Sequence, residues 1–348
     1  MAEAKKRLLG MELAEMQEVA SMMGMPSFAA RQLMEWVYVR RVRSIADMTN
    51  ISVKHRNLLM QHYEVGVHDP VEAVHSLDGT IKYLFKIAEG QYVEAVYIPD
   101  ADRATLCVSS QVGCKMHCAF CMTGRQGFGA HLTAADILNQ FYAIPESQSL
   151  TNVVMMGMGE PLDNTDEVLK ALRLLTDTKL LAWSPRRITL STVGVKGNLQ
   201  RFIEECDCHL AISLHAPTPV LRAELMPAER IYSITDIVKL LKRYDFAGQR
   251  RLSFEYILFE GLNDTLADAR KLVHLLDGLQ CRINLIRFHA IPGSSLDGVP
   301  MERMVAFRDY LTRHGFFTTI RASRGEDIYA ACGMLSTQKL KEQRNNNN

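Results

Sequence analysis

Three cysteines lie close together in the stretch GCKMHCAFCMTG, residues 113–124, with the spacing C-x3-C-x2-C. They are Cys114, Cys118 and Cys121. Thiolates on one short loop ligate zinc or an iron–sulfur cluster, and both kinds of site normally take four ligands. The three thiols can therefore hold three irons of a [4Fe–4S] cluster and leave the fourth iron open for a ligand that is not protein. The alternative is a zinc ion whose fourth ligand is His117 or Cys107.

Residues that could bind the polar groups of a ligand follow three of the later apolar runs. VVMMGMGEP, residues 153–161, ends in Gly159, Glu160 and a proline. Glycine lets a backbone approach a ligand closely, and a carboxylate can accept hydrogen bonds from the ammonium group of an amino acid. ITLSTVG and AISLHA carry Ser191, Ser213, Leu214 and His215. Each of these residues is equally explained as a loop residue that satisfies backbone groups, so none of them alone indicates a site.

The elements that would position these residues alternate between short apolar runs and helix-like stretches. The predicted strands are TLCVSS, NVVMM, RRITLS, HLAISL, RLSFEYILF, RINLIRF and FFTTIRA. The predicted helices between them are TAADILNQFYAI, DEVLKALRLLTD, NLQRFIEEC, ITDIVKLLKRY, ADARKLVHLLD and MERMVAFRDYLTRH. Such alternation predicts an α/β fold, a full or partial (β/α) barrel of parallel strands with covering helices. Ligands of such folds gather at the carboxyl ends of the strands, where the motifs above fall.

The chain divides into four predicted regions. Residues 1–68 form a small helical accessory domain, and residues 69–100 form a short β linker with two strands around Gly90. Residues 101–338 form the core, and residues 339–348 form a disordered tail.

Composition excludes some classes of protein. The chain has 348 residues, a net charge of +1 and no apolar run long enough to span a membrane. The amino terminus lacks the apolar stretch of a signal peptide, which predicts a cytoplasmic protein. Eight cysteines in a reducing compartment indicate metal binding or reactivity rather than structural disulfides.

Several motifs in one order resemble the RlmN and Cfr family of radical S-adenosylmethionine (SAM) RNA methyltransferases, over about residues 20–340. The most specific pieces are DRATLCVSSQVGCKMHCAFCMTG, GMGEPLDN, ITLSTVG, SLHAP and RASRGEDIYAACG. CVSSQVGC followed by QGF is similar to RlmN rather than Cfr. The resemblance implies a radical SAM partial barrel, in which SAM chelates the open iron of the cluster.

The resemblance also implies roles for single residues. Cys114, Cys118 and Cys121 would hold the cluster, and Gly159, Glu160, Ser191, Ser213, Leu214 and His215 match positions that contact SAM. Cys332 matches the cysteine that becomes S-methylcysteine, Cys107 its partner cysteine, and Glu94 a residue assigned as proton acceptor. Many relatives have NPFPG where this chain has HAIPG, so His289 stands in place of an asparagine near SAM.

The implied reaction methylates an adenine ring carbon, C2 for RlmN and C8 for Cfr. Cys332 takes a methyl group from one SAM, a radical made from a second SAM activates that methyl, and Cys107 frees the product by forming a transient disulfide with Cys332. The resemblance implies adenosine 2503 of 23S rRNA and adenosine 37 of some tRNAs as targets, an external electron donor such as flavodoxin, and a monomer that binds no membrane.

Two alternatives remain open from the sequence. One is Cfr-type methylation at C8, and the other is a zinc-stabilised RNA-binding protein without enzymatic activity. In either case the RNA needs local cations, because phosphates dominate nucleic-acid affinity. The basic residues considered are Arg40, Arg41, Arg43, Arg125, Arg186, Arg187 and Arg324.

Overall fold

The computed structural model describes residues 5–248 and 250–337, so the predicted tail at 339–348 lies outside the described residues. The first region is mainly helical. It contains strand β1 (Lys6–Arg7), helices α1 (Leu13–Met22), α2 (Ala29–Met34) and α3 (Val53–His62), and strand β2 (Tyr63–Glu64). A π-helical turn, Glu35–Val39, extends α2. The two short strands pair in parallel and tie the start of this region to its end.

Three antiparallel strands follow, namely β3 (Glu72–His75), β4 (Ile81–Ala88) and β5 (Gln91–Asp100). The two strands predicted around Gly90 are β4 and β5. Gly90 turns the chain between them with a φ of 68°, which is a conformation that glycine adopts without strain. These strands continue the sheet of the core, because β5 pairs with the first core strand.

The first half of the core contains strands β6 (Arg103–Cys107), β7 (Gln111–Gly113), β8 (Phe128–His131), β9 (Asn152–Met155) and β10 (Ile188–Thr192). Its helices are α4 (Met122–Gln126), α5 (Ala134–Tyr142), α6 (Thr165–Thr176) and α7 (Asn198–Glu205). The second half contains strands β11 (His209–Ser213), β12 (Leu252–Leu258), β13 (Arg282–Arg287) and β14 (Phe317–Ile320). Its helices are α8 (Pro219–Leu225), α9 (Ile234–Leu241), α10 (Leu266–Leu276) and α11 (Met301–Arg313).

The main sheet has ten strands in the order β14-β13-β12-β11-β10-β9-β6-β5-β4-β3. Within this sheet all pairs from β6 to β14 are parallel, and each strand lies beside the next strand of the same sheet along the chain. The antiparallel hairpin β7–β8, between β6 and β9 in the chain, forms a separate sheet. Because β14 and β3 are the two edges of this sheet, the barrel is partial. The predicted α/β partial barrel is thereby confirmed.

The strands place apolar residues on one face and polar residues on the other, as the two-residue period of a strand requires. On β12, Leu252, Phe254 and Tyr256 pack in the main core, and the Tyr256 ring stacks on Phe307 of α11 with centroids 5.5 Å apart. The alternate residues Ser253 and Glu255 line the interior of the partial barrel. The apolar face therefore holds the helices in place, while the polar face is available for ligands. In the described part of the chain, no helix is long and apolar enough to cross a membrane.

Candidate active site at the carboxyl ends of the parallel strands

The loop that carries the three clustered cysteines is held by the hairpin β7–β8. Gly113 ends β7 with a φ of 73°, and a Cβ atom there would lie 1.7 Å from the carbonyl oxygen of Gly127. Only glycine fits such an approach. The amide of Cys114 then donates to the same carbonyl at 3.1 Å, which closes the base of the loop.

The three thiols line one cavity of about 150 Å³, here called the thiol cavity. Its other polar lining comes from the carboxyl ends of β9, β10 and β11, as expected for a parallel sheet. The predicted SAM-contacting residues in that lining are Gly159, Glu160, Ser191, Ser213 and His215. With Cys332, which also lines this cavity, the structure brings nine predicted site residues together.

The donor set of the thiol cavity fits a [4Fe–4S] cluster held by three cysteines. Cys107, one of the residues considered as a fourth zinc ligand, lines a different cavity. Burial raises the pKa of the Cys114 thiol to about 12 and also raises the pKa of Cys118 and Cys121. Thiols with pKa values raised in this way are neutral before metal binds, so binding of metal must displace their protons.

Glu160 is buried at the floor of the thiol cavity and is held by three donors. Its carboxylate accepts hydrogen bonds from the amide of Leu162 at 2.9 Å, the hydroxyl of Thr192 at 2.6 Å and the amide of Val193 at 2.9 Å. Burial nevertheless raises the pKa of Glu160 from its ordinary 4.5 to about 7. A fixed carboxylate with unused lone pairs in a desolvated site suits the ammonium group of an amino acid.

We expect Glu160→Gln to remove a pH dependence of stability. The raised pKa means that the folded state binds the proton more tightly, so the parent loses stability as pH rises from about 4.5 to about 7. That loss is about 3 kcal/mol. Urea unfolding of metal-free, SAM-free protein at pH 4.5 and pH 8 measures it. The difference in the free energy of unfolding between the parent and Glu160→Gln should change by that amount between the two pH values. The control is the exposed change Glu302→Gln, whose difference from the parent should be the same at both pH values.

His215 presents a hydrogen-bond donor to the thiol cavity. Its Nδ1 accepts from the amide of Ile257 at 3.1 Å, so a neutral ring carries its hydrogen on Nε2. Burial and the nearby Arg222 lower the pKa of His215 to about 3. The imidazole is therefore neutral at physiological pH, and it packs edge-on against Phe120 of the cysteine loop with ring centroids 4.8 Å apart.

Two predicted SAM-contacting residues lie elsewhere. Leu214 is fully buried in the core, and its backbone bonds Glu255 and Arg222. His289 lies outside the lining of the thiol cavity, and its Nε2 lies 2.7 Å from the hydroxyl of Ser323. Contact of these two residues with SAM stays a prediction.

A second, larger cavity of about 500 Å³ occupies the interior of the partial barrel and is here called the barrel cavity. Cys107 and Cys332 both line it, and Cys332 also lines the thiol cavity. Burial and, to a smaller extent, the neighbouring Cys332 thiol raise the pKa of Cys107 to about 12. The two predicted catalytic cysteines are therefore near each other, at the place where the cavities meet.

Glu94 is buried on β5 but lines neither cavity. One carboxylate oxygen lies 3.1 Å from the ammonium group of Lys82, and the other accepts from the amide of Ser336 at 2.9 Å. Burial raises the pKa of Glu94, and the ion pair with Lys82 opposes this. In this structure Glu94 anchors the segment that follows Cys332, and its role as proton acceptor stays a prediction.

Two residues beside the cysteine pair were not identified from the sequence. Arg321 directly follows β14 and lines both cavities. Burial lowers the pKa of its guanidinium, but Glu255 and the thiols of Cys332 and Cys107 outweigh this effect and raise the pKa. Glu255 on β12 lies 3.3 Å from Arg321 and also lines both cavities. The RASRGED motif contains Arg321, but only the fold shows that it lies beside the thiols.

A buried ion pair, also not identified from the sequence, fixes two strand ends of the thiol cavity. Arg222 of α8 is fully buried and pairs with Glu229. The guanidinium donates to the carbonyls of Val193 at 2.8 Å and Ser213 at 2.9 Å. Because those residues end β10 and β11, the pair sets where the lining residues of both strands lie.

We expect Glu229→Gln to destabilise the fold strongly, because it leaves the Arg222 cation buried without a counter-charge. Breaking such a pair costs about 3–5 kcal/mol. Chemical denaturation of the variant measures the cost, and the exposed change Glu224→Gln, on the helix that carries Arg222, is the control. Equal stability of the two variants would contradict the structural importance of the pair.

Most basic residues considered for RNA contact already have partners within the protein. Arg40 pairs with Glu35, Arg43 with Asp69 and Arg324 with Asp100. Arg41 stacks on the rings of Phe141 and Tyr142, and Arg125 donates to the carbonyls of Pro292 and Ala119. Arg186 and Arg187 are exposed on a short 3-10 helix before β10.

Comparison with known families identifies two segments. The radical SAM superfamily matches residues 108–275, which contain the cysteine loop and the strands up to β12. The ribosomal RNA large subunit methyltransferase N-terminal domain matches residues 6–65, the helical region between β1 and β2.

Similar proteins cover nearly the whole chain. A probable dual-specificity RNA methyltransferase RlmN of Bacteroides fragilis is 64% identical over 98% of this chain and 99% of its own. A dual-specificity RNA methyltransferase RlmN of Syntrophus aciditrophicus is 40% identical over 95% of this chain and 97% of its own. Among solved structures, a radical SAM methyltransferase from Sphaerobacter thermophilus is 38% identical with a TM-score of 0.89, over 95% of this chain and 99% of that chain.

Proposed function

The chain belongs to the RlmN family of radical SAM methyltransferases, and we propose that it methylates C2 of adenosine in RNA through an S-methylcysteine at Cys332. The observation that carries the proposal is the position of Cys332. It lines the thiol cavity, where cluster and SAM fit, and the barrel cavity, where its partner Cys107 lies.

The residues of the thiol cavity would hold the cofactors. Cys114, Cys118 and Cys121 would hold the [4Fe–4S] cluster, while Glu160 and the Nε2 hydrogen of His215 would bind polar groups of SAM. When bound, the cluster and SAM together supply a 5′-deoxyadenosyl radical, which can remove a hydrogen atom from an unactivated methyl group. Such chemistry is required because an adenine ring carbon has no lone pair with which to attack SAM.

Cys332 first acts as a nucleophile. Its thiolate displaces the methyl group of one SAM and leaves S-adenosylhomocysteine, a reaction that suits a thiolate. The guanidinium of Arg321 lies beside this thiol and lines the same two cavities. The exposed position of Cys332 on the segment after β14 gives the methyl group access to both cavities.

Cys107 completes the transfer. Once the methyl carbon is bonded to the adenine, attack of the Cys107 thiolate on the sulfur of Cys332 forms a disulfide and breaks the bond between sulfur and that carbon. The carbon keeps the electron pair of that bond and takes up a proton to become a methyl group. The described cysteines are all free in this structure. An external electron donor such as flavodoxin restores the thiols. The ring proton leaves to Glu94 or to Cys107.

The proposed substrates are 23S rRNA, at adenosine 2503, and tRNAs, at adenosine 37. They are proposed because the relatives are named dual-specificity RNA methyltransferases. An adenine inside a helix hides its edge, so the target base must be unpaired or flipped. A cytoplasmic monomer is part of the same proposal.

The test uses anaerobically reconstituted protein with SAM, a reductant and unmodified 23S rRNA or tRNA. The RNA is digested to nucleosides and compared with standards by mass spectrometry. We expect 2-methyladenosine. Formation of 8-methyladenosine would move the protein to the Cfr type, and absence of any methyladenosine from protein that holds a full cluster would refute the proposal.

A further inference from the structure

The barrel cavity opens at the amino-terminal ends of the strands through a mouth that the proposed mechanism does not use. This mouth is lined by Arg103, Arg251, Arg282 and Phe317. Arg251 directly precedes β12 and Arg282 begins β13, so the two guanidinium groups extend from neighbouring strands. Arg103 begins β6 on another part of the rim. Three arginines at the entrance of one cavity require an explanation.

Two of these cations have no counter-ion within the described residues. Arg103 pairs with Asp100 at 3.0 Å, whereas neither Arg251 nor Arg282 forms an ion pair with a carboxylate. Burial and the neighbouring Arg282 lower the pKa of Arg251, although Glu255 deeper in the cavity partly opposes this. Repulsion between unpaired like charges costs stability and attracts an anion.

The pKa of a buried histidine is lowered by the same positive charges. His209 begins β11 beside the mouth, and its Nδ1 accepts from the amide of Arg251 at 2.9 Å. Burial and the positive charges of Arg251 and Arg282 lower the pKa of His209 to about 4. An anion bound at the mouth would reduce this repulsion and raise that pKa.

Phe317 provides an apolar platform among the cations. It is 57% exposed and lies opposite Arg282 in the pairing of β13 with β14. The Arg282 guanidinium lies over its ring, 4.8 Å from the centroid. An exposed aromatic ring beside arginines is the arrangement that proteins use to stack the bases of single-stranded nucleic acid while holding its phosphates.

The barrel cavity connects this mouth to the reacting cysteines. Arg103, Thr105 and Cys107 lie on the same face of β6 and all line the cavity. Cys107 lies four positions after Arg103 along the strand, a distance of about 13 Å. A nucleotide whose phosphate stays at the mouth can therefore extend its base toward Cys107 and Cys332.

We propose that Arg251 and Arg282 bind phosphodiester groups of the substrate RNA, that Phe317 stacks on a base next to the target, and that the target adenine enters the barrel cavity through this mouth. The inference rests on the proposed function, because the ligand is the RNA of that reaction. It adds an entry route and three RNA-contacting residues that differ from the basic residues considered from the sequence.

The test measures binding of a fluorescein-labelled RNA stem-loop with unpaired adenosines, by anisotropy over a series of salt concentrations, to cluster-loaded protein. The variants are Arg251→Gln with Arg282→Gln, and Phe317→Ala. The control, Arg308→Gln with Arg313→Gln on α11, removes the same charge elsewhere. Methylation of Cys332 by SAM without RNA, followed by mass spectrometry of the protein, verifies that the active site remains intact.

We expect the Arg251/Arg282 variant to bind RNA about tenfold more weakly and to lower the slope of log affinity against log salt by about 1.4. Phe317→Ala should weaken binding roughly tenfold without a change in slope. The control should match the parent. In the parent, bound RNA should also raise the pKa of His209, as measured by NMR.

Each outcome separates this inference from the proposed function. If the parent forms no methyladenosine but the arginine variant loses RNA affinity as expected, the function fails and the mouth remains an RNA site. If the parent methylates RNA and the variant matches it in affinity, salt slope and KM, the mouth is not the entry route. A parent that binds no RNA overturns both.

Discussion

Cys332→Ala should abolish methyl transfer to RNA while the protein keeps its iron and sulfide. The variant lacks the sulfur that accepts the methyl group, and among the described residues no other thiol lines both cavities. Methyladenosine formation should therefore fall below detection, as measured by nucleoside mass spectrometry on anaerobically reconstituted protein.

The matched control is Cys281→Ala, which removes another free cysteine outside both cavities. It should keep activity close to that of the parent. Iron content and absorption near 400 nm should be the same in the parent and both variants. Methylated RNA from Cys332→Ala would refute the covalent route through this residue.

Cys107→Ala should trap a covalent complex of protein and RNA. The variant still carries Cys332 and every residue of the thiol cavity, so the methyl carbon can still be bonded to the adenine. Without the second thiol nothing breaks the bond between that carbon and the sulfur of Cys332. Denaturing gel electrophoresis should show labelled RNA migrating with the protein in nearly stoichiometric amount, and free methylated RNA should be lost.

The double variant Cys107→Ala, Cys332→Ala is the control, because an adduct through Cys332 cannot form in it. Digestion of the adduct with protease and nuclease should leave one modified peptide, and that peptide should contain residue 332. Recovery of only free, unmodified RNA from the single variant would remove Cys107 from the resolving role.

The sequence predicted the βα units of the core well, because local patterns determine them. Each predicted strand from TLCVSS to FFTTIRA corresponds to one of β6, β9, β10, β11, β12, β13 and β14. Their residues are apolar, often β-branched and bounded by turn residues, and such signals need no knowledge of distant contacts. The hairpin β7–β8 was not predicted, because strands of three and four residues carry too little pattern.

The candidate site was predictable only where its residues share one short motif. The spacing of Cys114, Cys118 and Cys121 identified the cluster loop, and the strand-end rule placed Glu160 near it. The pairing of Arg321 with Glu255 joins residues 66 positions apart on different strands. Such a contact depends on strand register, which the sequence does not reveal. The neighbourhood of Cys107 and Cys332 was likewise implied only by resemblance to a family.

The same limit applies to the predicted RNA contacts. Counting arginines in the sequence led to Arg40, Arg43 and Arg324, which pair with carboxylates in the fold. It did not lead to Arg251 and Arg282, because the two residues lie 31 positions apart in the sequence. Only the register of the sheet shows that they share the rim of one cavity.

The anchoring of the Cys332 segment on the antiparallel strands has a consequence for how the protein is made. Gly325 donates to Asp78 and Ser336 donates to Glu94, contacts that join residues 247 and 242 positions apart. The parallel strands of the main sheet pair with partners that lie nearer in the chain, so they can form earlier during synthesis. Cys332 lies between the two anchors and therefore reaches its place only after residues up to 336 have left the ribosome. Pulse-labelled hydrogen exchange during refolding should show the amides of Gly325 and Ser336 gaining protection last.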